Sequence, residues 1–323
     1  MRDPEGIARA LRQADSICVC MHVNPDGDTI GSALALRLVL LELGKRVKVF
    51  CQDKVPDHLA FLPGAEEIRF PEENTETYDL FLSVDVSDIR RLGTCASLMD
   101  SCIRSAQIDH HGTNPGFAEV NSVDGNASAT SVMILEQLKA MDVTISQDTA
   151  ICLYTGISTD TGNFSFDCTD AETFRAMGDL MEVGLPLADL SMRLFRERDK
   201  AQLRLLGRAI ENMSFEHEGR ISVMSLTLKD FQECSALSEH ADTLVNFGLE
   251  TLGTQMAVLA REDTDGRVKF SLRARAPLTV NDVAESLGGG GHARAAGISM
   301  KGSLRDTLPL VVQAMKERIE KQK

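Results

Sequence analysis

From residue 16 to about residue 160, short apolar runs with polar ends alternate with longer segments whose apolar positions recur at helical spacing. Ile17 to Val23 is such a run. It meets the turn Asn24-Pro25-Asp26-Gly27-Asp28, and a helical pattern then extends over 29–43. Residues 45–50 alternate charged and apolar side chains and read as a second strand, with 78–84 and the weaker 102–108 as further strands. Between them lie a short helical piece in 54–64, an acidic loop over 71–77 and a partly helical 89–100. Residues 113–129, with Asn114-Pro115 and Asp124-Gly125, read as a turn-rich excursion. Helices are predicted over 128–141 and 147–157, although the second apolar run also fits a strand. Thr169-Asp170-Ala171-Glu172 has the form of a capping box that opens a helix to Gly184.

Residues 187–213, LADLSMRLFRERDKAQLRLLGRAIENM, read as one long amphipathic helix with a charged face. The pattern then changes to hairpins: 215–217 with 220–226 around Glu218-Gly219, and 254–261 with 267–275 around Asp265-Gly266. A helix over 244–252 separates them. Residues 281–287 lead into a glycine run, 306–321 form the last helix, and 317–323 are a charged tail expected to fray. The expected domains are 1–188 and 189–323, joined by the long helix.

A chain of 323 residues can build two cores, and 43% hydrophobic with 25% charged residues is a globular balance. No apolar run reaches the length of a membrane span, and the first residues lack a signal-peptide core, so the expected location is cytoplasmic. The eight cysteines include no C-x-x-C pair and read as reduced core thiols. A net charge of −14 opposes a grip on long nucleic acid. It leaves room for short oligonucleotides, because divalent cations in an acidic cluster can supply the missing positive charge. With no Trp and two Tyr, there is little aromatic surface for stacking along a strand.

The chemistry collects where apolar elements end. His22, Asp26 and Asp28 form H-x-x-x-D-x-D around the first turn; Asp85 ends the strand over 78–84; Asp109-His110-His111 end 102–108; Asp160 follows the run ending at Ile157. Open α/β sheets bind ligands at such carboxyl ends, and imidazole with carboxylate suits Mn²⁺ or Mg²⁺. Taken alone, the first turn also fits a polar loop whose Asp28 caps the helix. Recurrence at four element ends favours one shared site.

These motifs resemble those of the DHH phosphoesterases, whose third motif, Asp109-His110-His111, names the family. Gly288-Gly289-Gly290-Gly291-His292, followed by Ala295-Ala296-Gly297, is similar to the signature of the DHH-associated second domain. Length and arrangement are most similar to the nanoRNase-type oligoribonucleases, some of which dephosphorylate 3′-phosphoadenosine 5′-phosphate. The resemblance implies an α/β fold: an N-terminal parallel-sheet domain and a smaller mixed α/β domain, with the active site in the cleft between them. It assigns His22 and Asp26 to one cation, Asp28, His110 and Asp160 to a second, and Asp85 as the bridge. His111 would face the substrate phosphate or leaving group, and Asp109 would orient a histidine. The expected cofactors are two divalent cations, Mn²⁺ ahead of Mg²⁺.

Gly289, Gly290, Gly291 and His292 are expected to bind a substrate phosphate, through exposed glycine amides, although a glycine run also fits a flexible loop. Arg273 matches a position at which related enzymes hold nucleotide, and Arg275 points to the same face; strand arginines are also ordinary surface charges. Arg294 lies within the signature without an assignable contact. Asn163 and Phe164 either line the cleft or pack the loop. The implied activity is a two-metal exonuclease that degrades very short oligoribonucleotides to nucleoside 5′-monophosphates. The alternatives are a linear dinucleotide phosphodiesterase of the pApA type and a non-catalytic nucleotide sensor. A homodimer through the edge of the first domain is compatible with the sequence.

Overall fold

The computed structural model describes Met1–Lys321, and the chain divides into two compact units, Met1–Glu197 and the remainder from Arg198. The first contains, in order, α1 (Pro4–Gln13), β1 (Ser16–Cys20), α2 (Gly27–Glu42), β2 (Arg46–Phe50), β3 (Ile68–Arg69), β4 (Tyr78–Val84), α3 (Ala96–Met99), β5 (Cys102–Asp109), β6 (Val120–Val123), α4 (Thr130–Ala140), α5 (Gln147–Asp160), α6 (Ala171–Glu182) and α7 (Leu187–Ser191). Its six strands are all parallel, in the order β3-β2-β1-β4-β5-β6. Chain order reverses on the two sides of β1. Such a switch point opens a crevice at the carboxyl ends of the strands.

The central strands β1 and β4 read as near-continuous apolar runs because both faces of the sheet are covered there. In β1, Ile17 and Val19 join the core under the long helices, while Cys18 and Cys20 pack with Phe50, Phe81, Leu92 and Cys95 on the other face. All eight cysteines are free thiols. Helices α2 and α5 pack against each other at a glycine: a β-carbon on Gly156 would collide with Ser131 and with Asp28 Oδ1. Glycine inside a helix costs about 1 kcal/mol relative to alanine. Here it lets α5 approach the Asp28 carboxylate.

The second unit contains α8 (Lys200–Glu211), β7 (Ser214–Glu216), β8 (Ile221–Leu226), α9 (Leu228–Cys234), α10 (Val245–Leu249), β9 (Met256–Glu262), β10 (Arg267–Ala274), α11 (Asn281–Ser286), β11 (Gly290–Gly291), β12 (Ala295–Lys301) and α12 (Leu304–Glu320). The sheet runs β11-β12-β10-β9-β8-β7, with only β8 and β9 parallel. In β9, Met256, Val258 and Ala260 face one core and Ala257 and Leu259 the other, so this central strand is apolar over its first five residues. Among the described residues, no helix is long and apolar enough to cross a membrane.

Several elements differ from their sequence reading. The helix expected over 187–213 is broken: Glu197 is extended, and Asp199 caps a new helix by accepting from the Ala201 N–H. Apolar periodicity continued through this point, but a capping carboxylate decided the backbone. The capping box at α6 uses Asp170 and Thr173, one register later than expected. Strand β6 lies inside the predicted loop; at four residues it gave no periodic signal, and its pairing from Ala106↔Val120 to Asp109↔Val123 holds it. Helix α9 and strand β12 were also absent from the pattern. Of the tail expected to fray, residues 317–320 are helical and the final two lie outside the described residues.

Candidate metal centre

Asp26, not Asp28, caps α2, and both carboxylates also belong to the candidate ligand groups. Asp26 Oδ1 accepts from the N–H groups of Asp28 and Thr29, at 3.1 and 3.2 Å. Its Oδ2 lies 3.5 Å from His22 Nε2. Asp28, in the first turn of α2, is fully buried. Its Oδ2 accepts from the Thr130 N–H at 2.6 Å and its Oδ1 from the Ser131 N–H at 2.9 Å. The amino terminus of α4 therefore grips this carboxylate, where helix amides favour negative charge.

Asp85 follows β4 with φ +60°, an uncommon conformation for a residue with a side chain, held by its N–H donating to the Ile108 carbonyl at 2.9 Å. It is 2% exposed. Its two oxygens face different imidazoles: Oδ2 is 3.5 Å from His22 Nε2 and Oδ1 is 3.6 Å from His110 Nε2. Thr130 Oγ1 donates to Oδ1 at 2.9 Å. His110 Nε2 is also 3.1 Å from Asp160 Oδ2, on the last residue of α5. Asp160 thus comes from a helix end, whereas His22, Asp85 and the Asp109-His110-His111 segment come from strand ends.

All six residues expected to bind metal are brought together. His22, Asp26 and Asp85 form one group, and Asp28, His110 and Asp160 another, each with ligand atoms within 4.8 Å of one another; Asp85, His110 and His111 form a third. The donor set fits divalent cations. His22 Nδ1 is 2.9 Å from the Val23 carbonyl and His110 Nδ1 is 3.1 Å from the Ala127 carbonyl, so in both rings Nε2 is the nitrogen turned toward the carboxylates. Burial, and next Asp85, push Asp28 up to about 7. Burial, then Asp28 and Asp85, push Asp160 up to about 9. Burial opposes protonation of His22, but Asp26 and Asp85 outweigh it and raise it to about 10. Mutual repulsion among these carboxylates is what a bound cation relieves.

His111 stands at the open rim, its Nδ1 2.8 Å from Asp109 Oδ1. That hydrogen bond raises its pKa against the opposing effect of burial. Asp109 is fully buried, and Asn114 Nδ2 donates to its other oxygen at 2.7 Å. The histidine that Asp109 orients is therefore His111. Sequence reading missed Thr130, Ser131, Asn114 and Arg91, whose Nη2 is 3.1 Å from His22 Nδ1. The run of Ser and Thr before α4 was the one usable signal.

The second unit treats its expected substrate residues differently. The amides of Gly288, Gly289 and His292 donate to the carbonyls of Glu285, Ala284 and Ala295, so they are not an open nest for an anion. Gly290 and Gly291 pair with Gly297 and Ala296 of β12. The glycines serve close packing: a β-carbon on Gly289 would collide with the Gly297 carbonyl. Gly290, Gly291 and His292 nonetheless remain exposed. Arg273 pairs in register with Ala295, beside the His292–Ala295 turn, and its Nη1 donates to the Leu272 carbonyl at 3.0 Å. Arg275 instead donates through Nε and Nη2 to the Leu249 carbonyl, at 3.2 and 2.8 Å, at the end of α10. Arg294 donates to the Leu278 carbonyl.

A model of the DHH family, N-terminal domain, matches residues 16–157, and a DHHA1 domain model matches residues 231–321. The bifunctional oligoribonuclease and PAP phosphatase NrnA of Thermus thermophilus is 32% identical over 315 residues, covering 97% of this chain and 93% of its own. The protein of the same description from Bacillus subtilis is 27% identical over 304 residues, covering 91% and 92%. An exopolyphosphatase-related protein from Bacteroides fragilis has a crystal structure similar to this one, with a TM-score of 0.91 at 26% identity over 99% of this chain and 97% of its own.

Proposed function

This chain belongs to the DHH family, and we propose from that premise that it is a two-metal phosphodiesterase degrading very short oligoribonucleotides to nucleoside 5′-monophosphates, and also a 3′-phosphoadenosine 5′-phosphate phosphatase. The observation that carries the reading is Asp85, a buried carboxylate whose two oxygens address two separate ligand groups. His22, Asp26 and Asp85 would hold one cation, and Asp28, His110, Asp160 and Asp85 the other. Bound there, divalent cations supply Lewis acidity toward a phosphoryl group and an acidified water as nucleophile. The mixed nitrogen and oxygen set suits Mn²⁺, with Mg²⁺ accepted.

The chain's own groups do the rest. Asp109 holds His111 with the proton on Nδ1, which favours the imidazolium and leaves Nε2 to give a proton to the leaving oxygen. Asn114 fixes Asp109 from behind. Thr130 and Ser131 hold Asp85 and Asp28 in place whatever the substrate does. In the second unit, Arg273 and the exposed His292 turn are suited to a terminal phosphate, a charge-assisted contact. Arg275 belongs to the packing of α10 rather than to substrate. A charge of −14 supports short rather than long nucleic acid, and eight free thiols support action in the cytoplasm.

The test is product analysis of a 5′-labelled RNA dimer, pentamer and 24-mer, beside 3′-phosphoadenosine 5′-phosphate, with Mn²⁺ and with chelator. Chelator-sensitive conversion of the dimer and pentamer to mononucleotides, with the 24-mer slow, is the expected result. Nucleotide binding without turnover would instead make the protein a sensor.

A further inference from the structure

The turn after Asp160 holds three successive residues with positive φ: Gly162 at +57°, Asn163 at +53° and Phe164 at +66°. A bulky aromatic residue rarely adopts that region, and the strain persists only where its surroundings impose it. Here they do. Thr161 Oγ1 accepts from the Phe164 N–H at 3.1 Å, and the N–H groups of Ser165 and Phe166 both donate to the Thr161 carbonyl at 3.0 Å. The Phe164 ring packs against the core of the first unit and stacks on Phe174 at 5.7 Å between centroids, with 30° between planes.

The consequence of this turn is the placement of Phe166. Its ring closes on Gly162, where any β-carbon would collide with Cδ1, Cε1 and Cζ, and the residue is 58% exposed. An aromatic residue held against backbone yet more than half exposed is an expensive way to pack a loop, since its apolar surface stays in water. It is also six residues from Asp160, in a chain with no Trp and with both Tyr buried. Phe164, one of the two residues expected to line the cleft or pack the loop, packs. Phe166 provides the open face.

We propose that Phe166 is the platform on which one nucleobase of the substrate stacks, positioned by the strained turn Gly162–Phe164 beside the phosphoester bound at Asp160. This rests on the phosphodiesterase reading above and adds a specificity determinant to it. Stacking accepts any base because every base has a π face, and purines offer the larger one. A chain too poor in aromatics to track a strand can still grip a single base.

The experiment compares the dinucleotide ApA with its two analogues that lack one or the other base, in Mn²⁺, for the unsubstituted protein and for Phe166→Ala, Phe166→Leu and Phe166→Trp. Leu keeps the apolar contact with Gly162 without the π face and so controls for folding. In the unsubstituted protein, one abasic analogue should have a KM about tenfold above that of ApA, with kcat little changed. In Phe166→Ala and Phe166→Leu, ApA and that analogue should converge; Phe166→Trp should keep the discrimination. Persistence of the tenfold difference in Phe166→Ala and Phe166→Leu, or no difference in the unsubstituted protein, overturns the platform alone. No turnover of ApA by the unsubstituted protein overturns the phosphodiesterase reading, and this inference with it.

Discussion

Asp28 in the first unit and Arg273 in the second are both charged groups on regular elements beside residues of the expected chemistry, yet they are held in different ways. Asp28 is fully buried and clamped by two backbone amides of α4, in a cluster that β1, α2, β4, β5 and α5 build from separate parts of the chain. Arg273 is half-buried on one strand and bonds the carbonyl of its own neighbour. The first arrangement is rigid before any ligand arrives; the second keeps its donors for one. Catalysis gains from preorganised groups at the reacting centre, and binding can tolerate looser ones.

Variants of the clamped cluster around Asp85 should therefore act on kcat, and Arg273 variants on KM. Asp85→Ala removes the carboxylate shared by two ligand groups, and kcat should fall roughly a thousandfold or more, about 4 kcal/mol of barrier, in a steady-state assay with saturating Mn²⁺. Asp109→Asn keeps the shape but loses the charge that favours the His111 imidazolium. Its kcat should fall about 10- to 100-fold, and the alkaline limb of the pH–rate profile should move to lower pH. Arg273→Ala should raise KM for dinucleotides about tenfold, with kcat and calorimetric Mn²⁺ affinity little changed. Equal losses of kcat in all three would erase the distinction between the units.

The smallest effect is on stability. His22, raised from 6.5 to about 10, contributes stability that is fully present at low pH and lost as pH rises to about 10. Asp28 and Asp160, raised to about 7 and about 9, penalise the folded state once they ionise, so their sign is the same. Metal-free protein should melt a few degrees lower at about pH 9 than at about pH 6. Saturating Mn²⁺ should flatten that profile in differential scanning calorimetry.

The first unit was largely legible because its ligands stand where apolar runs stop, and a run that stops at an acid or imidazole is visible without knowing what packs on it. His22, Asp85 and His110 were found this way. Thr130 and Ser131 were not assigned to the site, because backbone amides look the same at every helix start. The glycine run was half legible: four glycines announce a tight backbone, but whether their amides are open depends on β12, a strand whose own pattern, Ala-Ala-Gly-Ile-Ser-Met-Lys, is too small and mixed to announce itself. The expected long helix failed for a related reason, since Asp199 reads as one more charge on a polar face until it caps.

The central claim is that Asp85 joins two cation sites, and Mn²⁺ titration followed by electron paramagnetic resonance tests it most directly. The account predicts that two Mn²⁺ bind per chain and give an exchange-coupled signal, which Asp85→Ala converts to an uncoupled six-line spectrum. A single Mn²⁺ per chain, or a coupled signal that survives Asp85→Ala, would contradict it.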